Sequence, residues 1–356
     1  MTDQYQYQIP PGANREEFIR DNVFVERDRV TNGACTKFPG AWANFDDSWD
    51  LDQWKQQYRL VIHNLSKSSI EFDMIGVHAS VANTIRRILL SDIPTVAFDQ
   101  VYIFNNTGVM VDEVLSHRLG LIPIQFDPSL LQDRAPGEAP TDLNTLVFKL
   151  NVKCTARPDV PASAPKQQRL VHHHVTAADL EWSPEATQAE FLQGAAAPVI
   201  PHKDIVITKL NEGEEVNLVL HAIRGKGSDH AKFSPVGTAT YRLMPEIHML
   251  RPVVGDEAVK FQQCFPKGVI ELEYDQKTGK HVAKVADARK DTVSREVLRH
   301  KEFEDAVTLS RKRDHFIFRV ESVGILEPQV LMVEAFKVLR AKAADLKKCL
   351  DALNVE

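Results

Sequence analysis

Cysteine is scarce in this chain, and the four present, Cys35, Cys154, Cys264 and Cys349, are scattered with no C-x-x-C pair among them. Such spacing argues against a disulfide framework and fits a reducing compartment. A basic excess is also missing, since 43 Lys and Arg stand against 49 Asp and Glu, for a net charge of −6. Proteins that grip nucleic acid by neutralising phosphates usually show a basic excess or a basic stripe. The only tight basic triplet, Arg311-Lys312-Arg313, reads as a solvated surface turn. No apolar run approaches the ~20 residues of a membrane span, and the leading MTDQYQYQIPPG is too polar for a signal peptide. The expectation is a soluble, intracellular protein that touches neither nucleic acid nor membrane directly. There is still ample material for a core: 356 residues, 43% of them hydrophobic, suggest two or three domains.

Residues 1–57 mix Gln, Asn, Asp, Pro and Gly with Trp42, Trp49 and Trp54. Their polarity disfavours an independent fold, while indoles bury well at interfaces, so the segment reads as an arm lying along the body or a partner. Tyr58, Leu60 and Ile62 alternate, Leu65–Ser69 turns, and Ile70, Phe72 and Met74 alternate again, which predicts a hairpin. After Ser80, a good N-cap, Val81 to about Ser91 reads as a helix ended by Pro94. Val81, Ile85, Ile88 and Leu89 share its apolar side, and Arg86 and Arg87 lie on the other, where a guanidinium fork suits a carboxylate. Thr95–Phe104, β-branched and aromatic, predicts a strand. Asn105-Asn106-Thr107-Gly108 is turn chemistry, after which Asp112 caps a short helix, Glu113–Leu119, stopped by Gly120.

Beyond Ile124, the prolines and glycine of Asp127–Asp142 predict a loop, and the alternation of Leu146, Phe148, Leu150, Val152 and Cys154 a half-buried strand. Residues 157–203, rich in Pro and Ala, read as a surface loop. Within them His172-His173-His174 point in different directions with no carboxylate shell, so no metal is assigned. Strand patterns return at Asp204–Leu210, Val216–Ala222 and Gly237–Leu243. Gly225-Lys226-Gly227-Ser228 lacks the spacer and following helix of a phosphate loop and reads as a turn. Val269–Tyr274 and His281–Val285 predict a hairpin, Val293–Ala306 a helix, and His315–Ser322 a strand. A last helix starts at Pro328 with Glu327 as its cap. Along it Met332, Phe336, Leu339, Ala343, Leu346, Leu350 and Leu353 follow at steps of four and three, a heptad stripe with Arg340, Lys342, Lys347 and Lys348 off it. Such a stripe serves either the chain's own sheet or a helix contact between chains.

The run Ala82-Asn83-Thr84-Ile85-Arg86-Arg87-Ile88-Leu89-Leu90 is followed by Asp92-Ile93-Pro94-Thr95-Val96-Ala97, by Asn105-Asn106-Thr107, and by Asp112–Pro123 (DEVLSHRLGLIP). Together they closely resemble the signature of the alpha-like subunits of multisubunit RNA polymerases, in particular the larger one shared by RNA polymerases I and III. His230–Val236 (HAKFSPV), Ala286–Leu298 (ADARKDTVSREVL) and Phe316–Gly324 are similar too, so the resemblance spans about Tyr58 to Leu350. It implies an α+β fold with a split dimerisation domain, residues 58–94 plus 315–354, made of the hairpin, the helix, the late strand and the C-terminal helix. A β-rich inserted domain, 95–314, interrupts it, and 1–57 is an N-terminal extension.

The same resemblance implies a non-catalytic assembly subunit of the nucleus, in nucleolus and nucleoplasm, serving the transcription of ribosomal and small RNAs. Implied partners are the smaller alpha-like subunit of RNA polymerases I and III, the second-largest polymerase subunits and the small shared zinc-binding polymerase subunits. The partner interface falls on Val81, Ile85, Arg86, Arg87, Ile88, Leu89, Met332, Phe336, Leu339, Leu346 and Leu350. The equivalent alpha-like subunit of RNA polymerase II is the alternative. That subunit carries a cysteine-rich zinc loop, and archaeal relatives can carry an iron–sulfur cluster, each needing about four ligands. Cys154 and Cys264 each stand alone, so no metal or cofactor is expected and the polymerase I and III reading is favoured.

An enzyme is the rival class. Asp112, Glu113, His117 and Arg118 cluster on the second helix, with Glu113 and His117 one turn apart. No nucleophile, glycine cradle or metal set accompanies them. They read as residues that cap and pin a short helix, and no catalytic residue is assigned.

Overall fold

The helix expected after Ser80 runs over Ala79–Ser91 in a computed structural model that describes residues 7–33, 46, 48–135, 137–161, 165–276 and 279–353. Trp42 and Cys35 fall outside the described residues. His78, not Ser80, opens this helix: Ser80 sits in the first turn, where its backbone N–H donates to His78 Nδ1 at 3.2 Å and its hydroxyl meets the same atom at 2.9 Å. The chain divides into two compact units. One gathers the described residues of Met1–His63, Glu71–Asn83 and Thr240–Phe318; the other those of Asn64–Ile70, Thr84–Ala239 and Arg319–Glu356.

The frame of the first unit is a six-stranded sheet. Its order is Val30–Thr31, Asn22–Val25, Val307–Ser322, Ser69–Ile75 and Arg59–Leu65, with Val236–Met249 also pairing Val307–Ser322. The N-terminal segment thus joins the body as a strand, Asn22–Val25 running antiparallel to Lys312–Leu309. Trp54 stacks on Tyr58 with ring centroids 5.1 Å apart, whereas Trp49 is 74% exposed. Phe72 and Phe318 stack at 5.0 Å with Tyr241 against both Phe318 and Phe316. A second cluster packs Phe261, Phe265 and Phe303 among Val25, Val253, Val307 and Leu309.

Two expectations fail in this unit. Val293–Ala306 is not one helix but short 3-10 turns at Glu296–Arg299 and Lys301–Phe303, because Val293 and Arg295 take φ of 58° and 62°. Left-handed residues of that kind cannot continue an α-helical path. Arg311-Lys312-Arg313 is not a turn but the middle of the long strand, and Arg313 Nη2 donates to the carbonyls of Asn32 and Asn22 at 2.6 and 3.3 Å.

The ADARKD stretch is tied to the sheet by charge. Asp73, 5% exposed, accepts from Arg289 Nη1 at 2.5 Å and lies 2.9 Å from His315 Nε2 and 3.0 Å from His63 Nε2. Arg289 Nη2 donates to Glu71 at 2.9 Å, and Arg242 in turn donates to the carbonyls of Arg289 and Asp291. Burial pushes the Asp73 carboxyl up, but hydrogen bonds from Arg289, His315 and His63 outweigh it and hold the group below the usual carboxylate range.

A four-stranded antiparallel sheet builds the second unit, in the order Glu181–Trp182, Leu146–Lys153, Glu215–Lys226 and Pro94–Asn106. The alternation read at 146–154 lands as expected, with Leu146, Phe148, Leu150, Val152 and Cys154 all buried beneath it. Residues 157–203 are more than a surface loop. Leu170, Val175, Leu180, Leu192 and Ile200 enter the same core, and His174–Thr176 pairs with Val206–Lys209. The elements are two to four residues long, too short to print a period on the sequence. His173 Nδ1 meets Leu210 O at 2.7 Å, His174 lies in the strand, and His172 Nδ1 is 3.8 Å from Asp179.

Gly225 and Lys226 end the strand Glu215–Lys226 and the turn begins only at Gly227, but close packing explains both glycines. A Cβ on Gly225 would strike the Phe233 ring at 2.6 Å, and one on Gly227 would overlap the carbonyl of Leu90 near the end of the Ala79–Ser91 helix. Ser228 N–H donates to Ser91 O at 2.9 Å beside it. Because the obstacle at Gly227 is backbone, Gly227→Ala is expected to cost about 2 kcal/mol of stability through overpacking. A denaturant titration of the folded chain checks this, and an unshifted midpoint would mean that the turn backs away freely.

Candidate partner interface

The C-terminal helix spans Pro328–Leu353, and at 26 residues it is roughly 39 Å long. Its two halves live in different environments. Pro328, Leu331, Met332 and Ala335 are buried. Phe336 is 37% exposed, Leu339 is half-buried, and every described residue after Leu339 is exposed, including Leu346 at 64%, Leu350 at 52% and Leu353 at 69%. The heptad stripe read from the sequence is therefore real in geometry but uncovered over its second half. The apolar face of the open half adds little to helix stability until it is covered, since most helical stability comes from packing of such a face. Pairs such as Glu334–Lys337 at 2.7 Å and Asp345–Lys348 at 3.4 Å add only tenths of a kcal/mol, on the order of 0.3–0.5 each.

The Ala79–Ser91 helix is placed differently. Ile85, Ile88 and Leu89 are at most 1% exposed, so the chain itself covers them. Val81 and Arg86 are half-buried, and Arg87 is exposed with no ion pair among the described residues. Past the helix end, Asp92 Oδ2 accepts from Lys342 Nζ at 2.6 Å, which sets it beside the C-terminal helix at the start of the open half. Sequence reasoning missed a further open surface. All seven residues of the strand Arg59–Leu65 are exposed, among them Leu60, Val61, Ile62 and Leu65 at 40–54%. Their alternation was visible, but not that neither face would be covered.

Two members of the rival acid–base cluster, Asp112 and Arg118, are structural, while Glu113 and His117 are exposed. Arg118 donates from Nε to Ile207 O at 3.0 Å and from Nη2 to Val206 O at 2.6 Å, fastening its helix to a strand. Asp112 does not cap that helix; it is the first helical residue, after Val111, and accepts from Asn106 Nδ2 at 2.7 Å. The buried thiols of Cys154 and Cys264 point to backbone carbonyls, and burial pushes both up, away from the thiolate that a metal or nucleophile role needs.

An α+β chain that buries half of a long amphipathic helix and leaves the other half open has the build of a dimerising subunit. The family described as the RNA polymerase Rpb3/Rpb11 dimerisation domain matches residues 71–343, and the chain belongs to that family. It is 44% identical over 347 residues to RPAC1, a subunit of DNA-directed RNA polymerases I and III from Mus musculus, covering 97% of this chain and 99% of that one. To the Saccharomyces cerevisiae RPAC1 subunit it is 45% identical over 333 residues, 92% of this chain and 98% of the relative. Identity falls to 29% over 313 residues for the RNA polymerase II subunit rpb3 of Dictyostelium discoideum, 84% of this chain and 97% of that one. The RNA polymerase II alternative gives way accordingly.

Proposed function

We propose that this chain is the larger alpha-like, non-catalytic assembly subunit of RNA polymerases I and III. It heterodimerises with the smaller alpha-like subunit, and the pair forms the platform for the second-largest, catalytic subunit in transcription of ribosomal, 5S and transfer RNA. The observation that carries this is the open half of the C-terminal helix, an apolar seam exposed among the described residues. The 44% identity to a polymerase I and III subunit over nearly the full length supports the same reading. The work is nuclear, and nucleolar where it serves polymerase I.

In this reading the dimerisation domain is discontinuous, residues 58–94 plus 315–354, around an insert of 95–314 and after an extension of 1–57. Phe336, Leu339, Leu346 and Leu350 form the seam, while buried Met332 fastens the helix to its own body. From the Ala79–Ser91 helix, Val81 and Arg86 border the contact and Arg87 takes a carboxylate of the partner. A guanidinium fork suits that bidentate grip. Ile85, Ile88 and Leu89 hold the same helix in place from beneath. The Arg59–Leu65 strand is a second exposed surface that a partner can cover, and an obligate interface buries ~2,000 Å² or more. The small shared zinc-binding subunits join the assembled pair.

Affinity purification of the chain at native expression level, with partners identified by mass, tests the reading. Recovery of a smaller alpha-like protein with the large subunits of both polymerases is the expected result. A free monomer would refute it.

A further inference from the structure

Two stretches that the dimer seam leaves unused meet in the second unit. Ser116, His117, Gly120 and Leu121 from DEVLSHRLGLIP and His230 and Lys232 from HAKFSPV join Phe98, Asp99 and Val101 around a cavity of about 310 Å³. That volume is at the lower end of the ~300–1,000 Å³ typical of small-molecule sites, and closer to one large side chain than to a cofactor.

Its chemistry is that of a hydrogen-bond donor. Lys232 is held rather than mobile: its side chain is 13% exposed, its ammonium lies 2.7 Å from Asp99 Oδ1, and it sits 5.1 Å over the Phe233 ring. An ammonium has three N–H donors, so Asp99 leaves the others to offer. His230 Nδ1 accepts from the Lys232 backbone N–H at 3.1 Å, which places the neutral ring's proton on Nε2. The His117 ring and the Ser116 hydroxyl add to the donor set, and the one lining carboxylate, Asp99, is already engaged. Phe98, Val101 and Leu121 supply apolar wall for methylene groups. In and beside the Asp112–Gly120 helix, Val111, Val114 and Leu121 are also 48–59% exposed, a surface that suits a polypeptide rather than a free anion.

We propose that this cavity receives a glutamate or aspartate side chain of the second-largest polymerase subunit, its carboxylate on Lys232 and His230. This deepens the assembly reading and rests on it. The test immobilises the heterodimer with the smaller alpha-like subunit and measures retention of the second-largest subunit. Lys232→Met and His230→Phe should each weaken retention about tenfold, the loss expected when a hydrogen bond to a charged group is removed. Asp99→Asn should instead tighten it, because a like charge beside the incoming carboxylate disappears. Weaker retention with Asp99→Asn would overturn the proposal, as would no change in any of the three. Should the wild-type pair form yet retain no large subunit, this site falls while the dimer stands. Failure of the pair itself removes both. Undiminished binding of the smaller subunit by each variant excludes misfolding as the cause.

Discussion

A chain carrying Leu346→Asp together with Leu350→Asp is expected to fold as the unaltered chain does and to lose its smaller alpha-like partner. Both leucines are more than half exposed in the chain alone, so neither supports its core. Aspartate at an exposed helical position costs only about 0.7 kcal/mol in propensity relative to alanine. Across a helix seam the effect is much larger. Each buried leucine contributes about 1.5–3 kcal/mol of transfer free energy, and a carboxylate placed there must also be desolvated. The pair of changes therefore removes at least about 3 kcal/mol, more than about a hundredfold in Kd. Circular dichroism and thermal melting report the fold, and binding of labelled smaller subunit reports the seam. Arg340→Ala, off the stripe, serves as the control and should shift Kd little. Retained affinity in the double variant would remove the C-terminal helix from the interface.

Much of this arrangement was legible because it is written in periods. The steps of four and three from Met332 to Leu353 and the alternation from Leu146 to Cys154 each point one way, and both elements formed as read. A period reveals an apolar face but not what covers it. Ile85, Ile88 and Leu89 share an apolar side just as Leu346 and Leu350 do, yet the chain covers the first set and leaves the second open. Residues 157–203 hid their part in the core because strands of two or three residues have no period. The break at Val293 and Arg295 was hidden for a different reason: residues of ordinary helical character there adopt left-handed backbone that only their surroundings impose. The cavity of His117, His230 and Lys232 shows the same limit at the level of a site, since both stretches stood out in the sequence but their convergence did not.

Least legible of all is the pairing of Asp73 with Arg289, 216 positions away, and it carries the largest expected effect on stability. Arg289→Ala is expected to destabilise the first unit by about 3 kcal/mol or more, the usual result of removing one partner of a buried ion pair. The side chains of Asp73 and Arg289 are 7% and 17% exposed, so solvent screens the pair little. Glu71 loses its partner as well, while Arg242 on the strand Val236–Met249 still holds the backbone of the turn. The pH dependence follows from the lowered carboxyl of Asp73. A folded-state value below the unfolded one stabilises above the unfolded value, about pH 4, and that contribution is lost as pH falls through the folded value. Arg289→Ala should therefore lag the unaltered chain most at neutral pH, with the gap closing on acidification below about pH 4. Urea titrations at pH 7 and in acid measure it. Adding Asp73→Asn to Arg289→Ala should restore part of the loss, because the uncompensated charge goes with it. A gap that stayed constant into acid would assign the contribution of Arg289 to packing of its aliphatic stem instead of to charge.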